Sequence, residues 1–243
     1  MYGGEHEGQV RSNSHKHAHG RRAVQGVGLP PVSLIVDSVC AKVGGTVILP
    51  PTSAQLEGGE SLAVVGPSGS GKTTFLDCVS GWRSATSGRV VVDGTDVTAL
   101  PGRQRARFRR TKVGVIFQEA HLLRELTVAE NVGIVARFRG DQDALSQVAT
   151  VLAEVGLDDR AGDSVMTLSG GEAQRVAVAR AVVSAVGVLV ADEPTASLDR
   201  ANAEAVASML IRACELRNIP LVLATHDLAV AARCSRLVDL GAT

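Results

Sequence analysis

The chain has 243 residues, enough for one domain of moderate size or a core carrying an insert. Apolar residues make up 45% and charged residues 21%, the ordinary balance of a globular protein. Its 25 basic residues equal its 25 acidic ones, so no net charge asks for nucleic acid, and no apolar run approaches the ~20 residues needed to cross a bilayer.

Residues 1–31 read as a tail rich in Gly, Ser, Arg and His, with almost no apolar periodicity. Basic residues are present there, but the apolar segment of a secretory signal is not. His15, His17 and His19 invite a loose metal site. No carboxylate or cysteine stands beside them to complete one, and a disordered extension is expected. The cysteines at positions 40, 78, 214 and 234 lie far apart with no C-x-x-C. They read as reduced thiols of a cytosolic protein.

The ordered part, residues 32–243, opens with apolar runs at 33–36 and 46–49 joined by Gly44-Gly45, a hairpin signal. A turn at 57–60 leads to Leu62-Ala63-Val64-Val65, a buried strand. Then come Gly66, Pro67, Ser68, Gly69, Ser70, Gly71, Lys72, Thr73 and Thr74, and residues 75–79 suit the start of a helix. This stretch fits G-x-x-x-x-G-K-[ST] in the strand–loop–helix context that the motif requires. Glycines let successive backbone N–H groups turn inward around a polyphosphate, at the positive end of a helix. Lys72 is placed to reach the β- and γ-phosphates, and the Thr73 hydroxyl to ligate Mg²⁺.

Further on, 89–92 reads as a strand with an Asp93-Gly94 turn, 101–110 as a basic helix with a solvated face, and 113–117 as a buried strand. About residues 119–168 the texture becomes helical. Thr127 with Glu130 forms a capping signature, and Leu145, Val148, Val151, Leu152 and Val155 share one helical face. Helices at 170–185, 200–217 and 228–234 then alternate with strands at 186–191, 221–224 and 236–240. That alternation implies a parallel sheet in an α/β layer.

Two more constellations carry chemistry. The apolar run 188–191 ends in Asp192-Glu193, where Asp192 is suited to hold Mg²⁺ and Glu193 to orient or deprotonate an attacking water. Ser169, Gly170 and Gly171 open a helix and offer a hydroxyl and free amides, a second anion site away from the first. Two chains facing head to tail would use both sites.

In this order the phosphate loop, Gln118, Leu168-Ser169-Gly170-Gly171, Asp192-Glu193, Ser197-Leu198-Asp199 and His226 resemble the ATP-binding subunit of an ABC transporter. Residues 115–118, 122–123 and 126–132, with the arginine-rich stretch before them, resemble its lipoprotein-release and macrolide-export branch. The resemblance implies a P-loop ABC ATPase fold, with a parallel sheet, an antiparallel β part and a helical subdomain. It implies two ATP molecules sandwiched between two chains, with Mg²⁺ near Thr73, Asp192 and Gln118. Glu193 would position the water, His226 would steady the γ-phosphate and Glu193, and Asp199 would link the two sites. It implies cytoplasmic location on the inner face of a membrane, held by a separate permease, with export or lipoprotein extraction as the work. A module that dimerises on ATP and recruits membrane partners without transport, as in cell division, is the alternative. A soluble ATPase acting on DNA or ribosomes would need a long coiled coil or a second core, and this sequence has neither. The sequence departs from the family at Ala173, where glutamine is common, and at Val43, where an adenine-stacking aromatic is common.

Overall fold

A computed structural model describes residues 33–241, so the expected tail lies outside the described residues. Five short strands form the central sheet: β3 (Ser61–Val65), β6 (Val113–Ile116), β7 (Val188–Asp192), β8 (Leu221–Ala224) and β9 (Arg236–Asp239). Their order is β6-β7-β8-β3-β9, and every pairing is parallel. Such strands are apolar almost throughout because both faces of the sheet are covered.

The alternation of side chains along each strand divides the interior in two. Val188, Val190, Val222 and Ala224 face one core, together with Phe75, Leu76 and Val79 of helix α1 (Lys72–Ser80). Over that core lies an antiparallel sheet of β1 (Ser33–Val43), β2 (Thr46–Glu57), β4 (Ser87–Val92) and β5 (Thr95–Asp96), in the order β2-β1-β4-β5. Leu189, Ala191, Leu221 and Leu223 face the opposite core, with α6 (Gly170–Ser184) and α7 (Arg200–Arg217). Each fully buried Leu, Val or Phe contributes roughly 1.5–3 kcal/mol relative to exposure. The two faces together therefore fix the register of every strand.

Helix α3 (Val128–Arg139) also rests on the second core, through Val128, Val132 and Ala136. Its expected cap is present. Thr127 Oγ1 accepts the Glu130 N–H at 3.2 Å and Glu130 Oε2 accepts the Thr127 N–H at 2.9 Å. Behind it Asn131 is fully buried, yet its amide accepts the Leu123 N–H at 2.8 Å and donates to the Leu123 and Thr127 carbonyls at 3.0 Å each. The loop ahead of α3 is thereby fixed by a satisfied polar anchor.

The single helix expected around 144–155 is instead two, α4 (Gln142–Ser146) and α5 (Val148–Glu154). The Gln147 N–H turns to the Ala144 carbonyl three residues back, at 3.2 Å, which tightens the chain for one step. The apolar face runs on through that step, so periodicity does not register it. The helix after β8, α8 (Leu228–Ala231), ends earlier than expected, and β7 begins at Val188 rather than Val186. Helix α2 (Gly102–Lys112) is the expected basic helix, with Phe108 as its buried side chain. All four cysteines are free thiols, and burial pushes Cys78 up to about 11 and raises Cys214 as well.

Candidate functional site

Because β3, β6, β7 and β8 run parallel, the loops that follow them leave the same edge of the sheet. That carboxyl edge is where α/β sheets present their ligand sites. Residues 66–71 follow β3, Gln118 lies beyond β6, Glu193 follows β7 and His226 lies beyond β8. The topology therefore gathers residues from four distant stretches of sequence.

The loop after β3 ends at Gly71, the N-cap of α1, in the left-handed region at φ 100°. A Cβ there would stand 2.5 Å from the Ile48 carbonyl oxygen, so only glycine lets β2 close against the loop. Gly71 has no side chain with which to cap, and the first amides of α1 are left without an intrahelical partner. Lys72 folds back over the loop, its Nζ donating to the Gly66 carbonyl at 2.9 Å and the Pro67 carbonyl at 3.2 Å. Free amides, a helix N-terminus and an ammonium group thus meet within one turn, an arrangement that suits polyphosphate.

Thr73 Oγ1 donates to Asp192 Oδ2 at 2.8 Å, which joins the first turn of α1 to the tip of β7. A hydroxyl and a carboxylate are hard oxygen donors of the kind Mg²⁺ takes beside substrate phosphates. No cluster of three or more His, Cys, Asp or Glu side chains suited to a metal occurs among the described residues. Glu193 stands next in sequence in the left-handed region at φ 47°, a conformation that costs a non-glycine residue about 1–3 kcal/mol. Its N–H donates to the Ala224 carbonyl at 3.0 Å, and its Oε2 lies 2.8 Å from His226 Nδ1. The carboxylate is largely buried and the imidazole largely exposed.

Gln118 is exposed and makes no hydrogen bond to Thr73 or Asp192 among the described residues. Its loop is nonetheless held. Gln174 of α6, 3% exposed, donates to the Phe117 carbonyl at 2.9 Å. Arg180, two turns further along, donates to the Ala120 carbonyl at 2.6 Å and the His121 carbonyl at 2.8 Å. Neither side chain was singled out by motif. Gln174 lies inside the signature run, but its reach to a loop 57 residues away has no local signal.

Ser169 caps α6, accepting the Glu172 N–H at 3.3 Å while Glu172 Oε2 accepts the Ser169 N–H at 2.8 Å. The Ser169 N–H and O–H, both donated to Oε2, hold the Glu172 carboxyl below the usual carboxylate range. A Cβ on Gly171 would stand 2.6 Å from Asn202 Oδ1. Asn202 in turn donates its side-chain amide to Asp199 Oδ2 at 2.6 Å and its N–H to Oδ1 at 2.9 Å, keeping the Asp199 carboxyl low. Thus Gly171 and Asp199, separate in sequence, meet through Asn202. The phosphate loop and the Ser169 end of α6 belong to helices on opposite faces of the sheet, and no hydrogen bond joins them among the described residues.

A phosphate loop, a carboxylate pair and a histidine on one parallel-sheet edge define a P-loop nucleotide-binding protein. Comparison with known proteins narrows the class. The family described as "ABC transporter" matches residues 49–196. The lipoprotein-releasing system ATP-binding protein LolD 1 of Rhodopirellula baltica is 41% identical over 195 residues, covering 79% of this chain and 85% of that protein. LolD of Alcanivorax borkumensis is 41% identical over 184 residues, covering 75% and 81%. Among solved structures, the dimeric post-hydrolysis state of the ATP-binding cassette MJ0796 bound to ADP and Pi aligns with a TM-score of 0.72 at 30% identity, covering 86% of this chain and 94% of that one. The chain belongs to the ABC transporter family, as an ATP-binding subunit with ATPase activity.

Proposed function

We propose that two copies of this chain close head to tail over two ATP molecules and that their hydrolysis drives a separate membrane permease. The observation that carries this reading is the meeting of Thr73–Asp192 and Glu193–His226 on the edge that also bears the phosphate loop. Lys72 and the loop amides hold the phosphates of ATP. Ser169 and Gly171 of the facing chain cover the γ-phosphate. Glu193 polarises the attacking water through Oε1, while His226 steadies Oε2. Thr73 and Asp192, with Gln118 from its pinned loop, would hold a Mg²⁺ ion that supplies charge neutralisation at the phosphates. Asp199 ties its own signature helix to the dimer through Asn202. The helices between residues 119 and 168 form the subdomain that carries this second contact.

No helix among the described residues is long and apolar enough to cross a membrane, and in this reading the permease is a separate chain. A groove of about 390 Å³ between α2, β6, α3 and α6 supports its docking. Phe117, Leu123 and Phe138 stand exposed around it, and Arg110, Arg139 and Arg180 line it. Exposed apolar side chains grouped around a groove suit a protein contact. Seated there, the chain would lie on the cytoplasmic face of the membrane. Likeness to the two LolD proteins favours lipoprotein extraction as the work. Reconstitution with the membrane subunit into vesicles loaded with a lipid-anchored protein tests this. Release that requires ATP is expected. Dimerisation and membrane recruitment on ATP without any release would replace transport by a recruiting role.

The base of the nucleotide falls beside the β1–β2 hairpin, which closes on Gly71 and carries no aromatic side chain. Val43 stands 55% exposed there, paired with Thr46, and offers only apolar contact. Base–aromatic stacking is worth about 1–3 kcal/mol, and each ~1.4 kcal/mol is tenfold in affinity. The native chain is therefore expected to bind and hydrolyse ATP and GTP with similar efficiency. Val43→Tyr is expected to tighten ATP several-fold in a fluorescent-nucleotide titration. Unchanged affinity in Val43→Tyr, with strong native preference for ATP, would refute it.

A further inference from the structure

Arg160 belongs to no motif. It closes a short 3-10 turn (Asp158–Arg160), and its guanidinium reaches back to the start of α6. Nη1 donates to Glu172 Oε1 at 2.8 Å, Nε to Asp163 Oδ2 and Nη2 to Thr167 Oγ1 at 3.4 Å. The other oxygen of Glu172 is fully used by Ser169. It accepts the Ser169 N–H and the Ser169 O–H, both at 2.8 Å. One carboxylate is therefore placed against the hydroxyl and amides that the reading above assigns to an incoming γ-phosphate.

That placement poses two physical problems. A full negative charge beside a phosphate site repels the phosphate, and the partly exposed pair leaves solvent to screen only some of that repulsion. A serine hydroxyl also has one proton to donate, and here it points to Glu172 rather than outward. Arg160 answers both. Its bond to Oε1 sets positive charge, shared with Asp163, against Glu172, and it holds the carboxylate in place when the Ser169 proton turns to another acceptor.

We propose that Arg160 is a positioning residue for hydrolysis. It offsets part of the charge on Glu172 and sets Ser169 so that the N-terminus of α6 accepts the γ-phosphate of a nucleoside triphosphate held by the facing chain. This rests on the head-to-tail reading. Arg160 touches no nucleotide itself, so its effect falls on closure of the dimer and not on capture of ATP by the phosphate loop.

The test reads two quantities, each in a Glu193→Gln background so that ATP persists. One is nucleotide affinity of the dilute monomer, and the other is ATP-driven dimerisation by sedimentation. Arg160→Gln is expected to leave monomer affinity unchanged and to weaken dimerisation about tenfold, the scale of one lost charge-assisted contact. Adding Glu172→Gln to it should restore most of that loss, because the repelling charge is gone while glutamine still completes the capping box. A purely structural role for Arg160 predicts the opposite, a double variant no better than the single one. That result, or undiminished dimerisation in Arg160→Gln, overturns the proposal. If Arg160→Gln does not fold, Glu172→Gln alone decides. It should dimerise at least as well as the parent, and a tenfold loss would overturn the idea. Ser169→Arg is the control for the underlying reading. If it too leaves dimerisation intact, the head-to-tail arrangement has failed rather than the role of Arg160.

Discussion

Glu193→Gln is expected to bind ATP as the native chain does while losing about 10²- to 10⁴-fold in turnover, the usual cost of removing a general base. Several observations converge on this side chain. Its backbone is held at φ 47°, which glutamine tolerates no worse than glutamate, so the substitution removes basicity without moving the chain. Its N–H remains tied to the Ala224 carbonyl in either form. Oε2 is occupied by His226, which leaves one oxygen to take a proton from water. In the proposed reading nucleotide capture would depend instead on Lys72 and the amides after Gly71, which lie on another strand's loop. Binding and chemistry should therefore separate. Phosphate release in the steady state measures the loss. Sedimentation with ATP should show a trapped dimer, since the closed state no longer decays by hydrolysis. Turnover within a fewfold of native would remove Glu193 from this role.

What the sequence made legible follows the range over which each interaction acts. The phosphate loop is local. Gly71, Lys72 and Thr73 are adjacent, and the buried strand before them announces itself by composition, so motif and fold are read together. The capping boxes at Thr127 and Ser169 are legible for the same reason, as their partners lie three residues on. The parallel sheet was legible as a class, yet the order β6-β7-β8-β3-β9 was not, because crossovers leave no trace in periodicity. Contacts between remote side chains and backbone were likewise invisible. Gln174 to the Phe117 carbonyl, Arg180 to the Ala120 carbonyl and Asn202 beside Gly171 each require the fold before they exist. Arg160 is the sharpest case. Its surroundings in sequence are an ordinary charged turn, and only the folded chain sets it against Glu172.

Mixing two inactive chains is expected to restore activity. Lys72→Ala removes the ammonium group that serves the phosphate loop, and Ser169→Arg places a bulky cation at the mouth of α6. Each variant alone carries its lesion in both composite sites of a head-to-tail dimer, and each should hydrolyse ATP at a small fraction of the native rate. A mixed dimer distributes them differently. One site joins the Lys72→Ala loop to the Ser169→Arg helix and carries both lesions. The other joins an intact loop to an intact helix. Random pairing makes about half of the dimers mixed, each with one sound site, so an upper bound of about a quarter of native turnover is set by combinatorics alone. Complementation needs the two anion sites to lie in different places on one chain. Their positions on helices of opposite sheet faces meet that need, and no hydrogen bond joins the loop before α1 to the start of α6 among the described residues. Coupling between the two sites, through Asp199 and Asn202, would pull the recovery below the bound without abolishing it. Phosphate release from the mixture, set against each variant alone at equal total protein, gives the answer. No recovery, where differently tagged chains are shown to co-purify as a heterodimer with ATP, would count against the head-to-tail dimer.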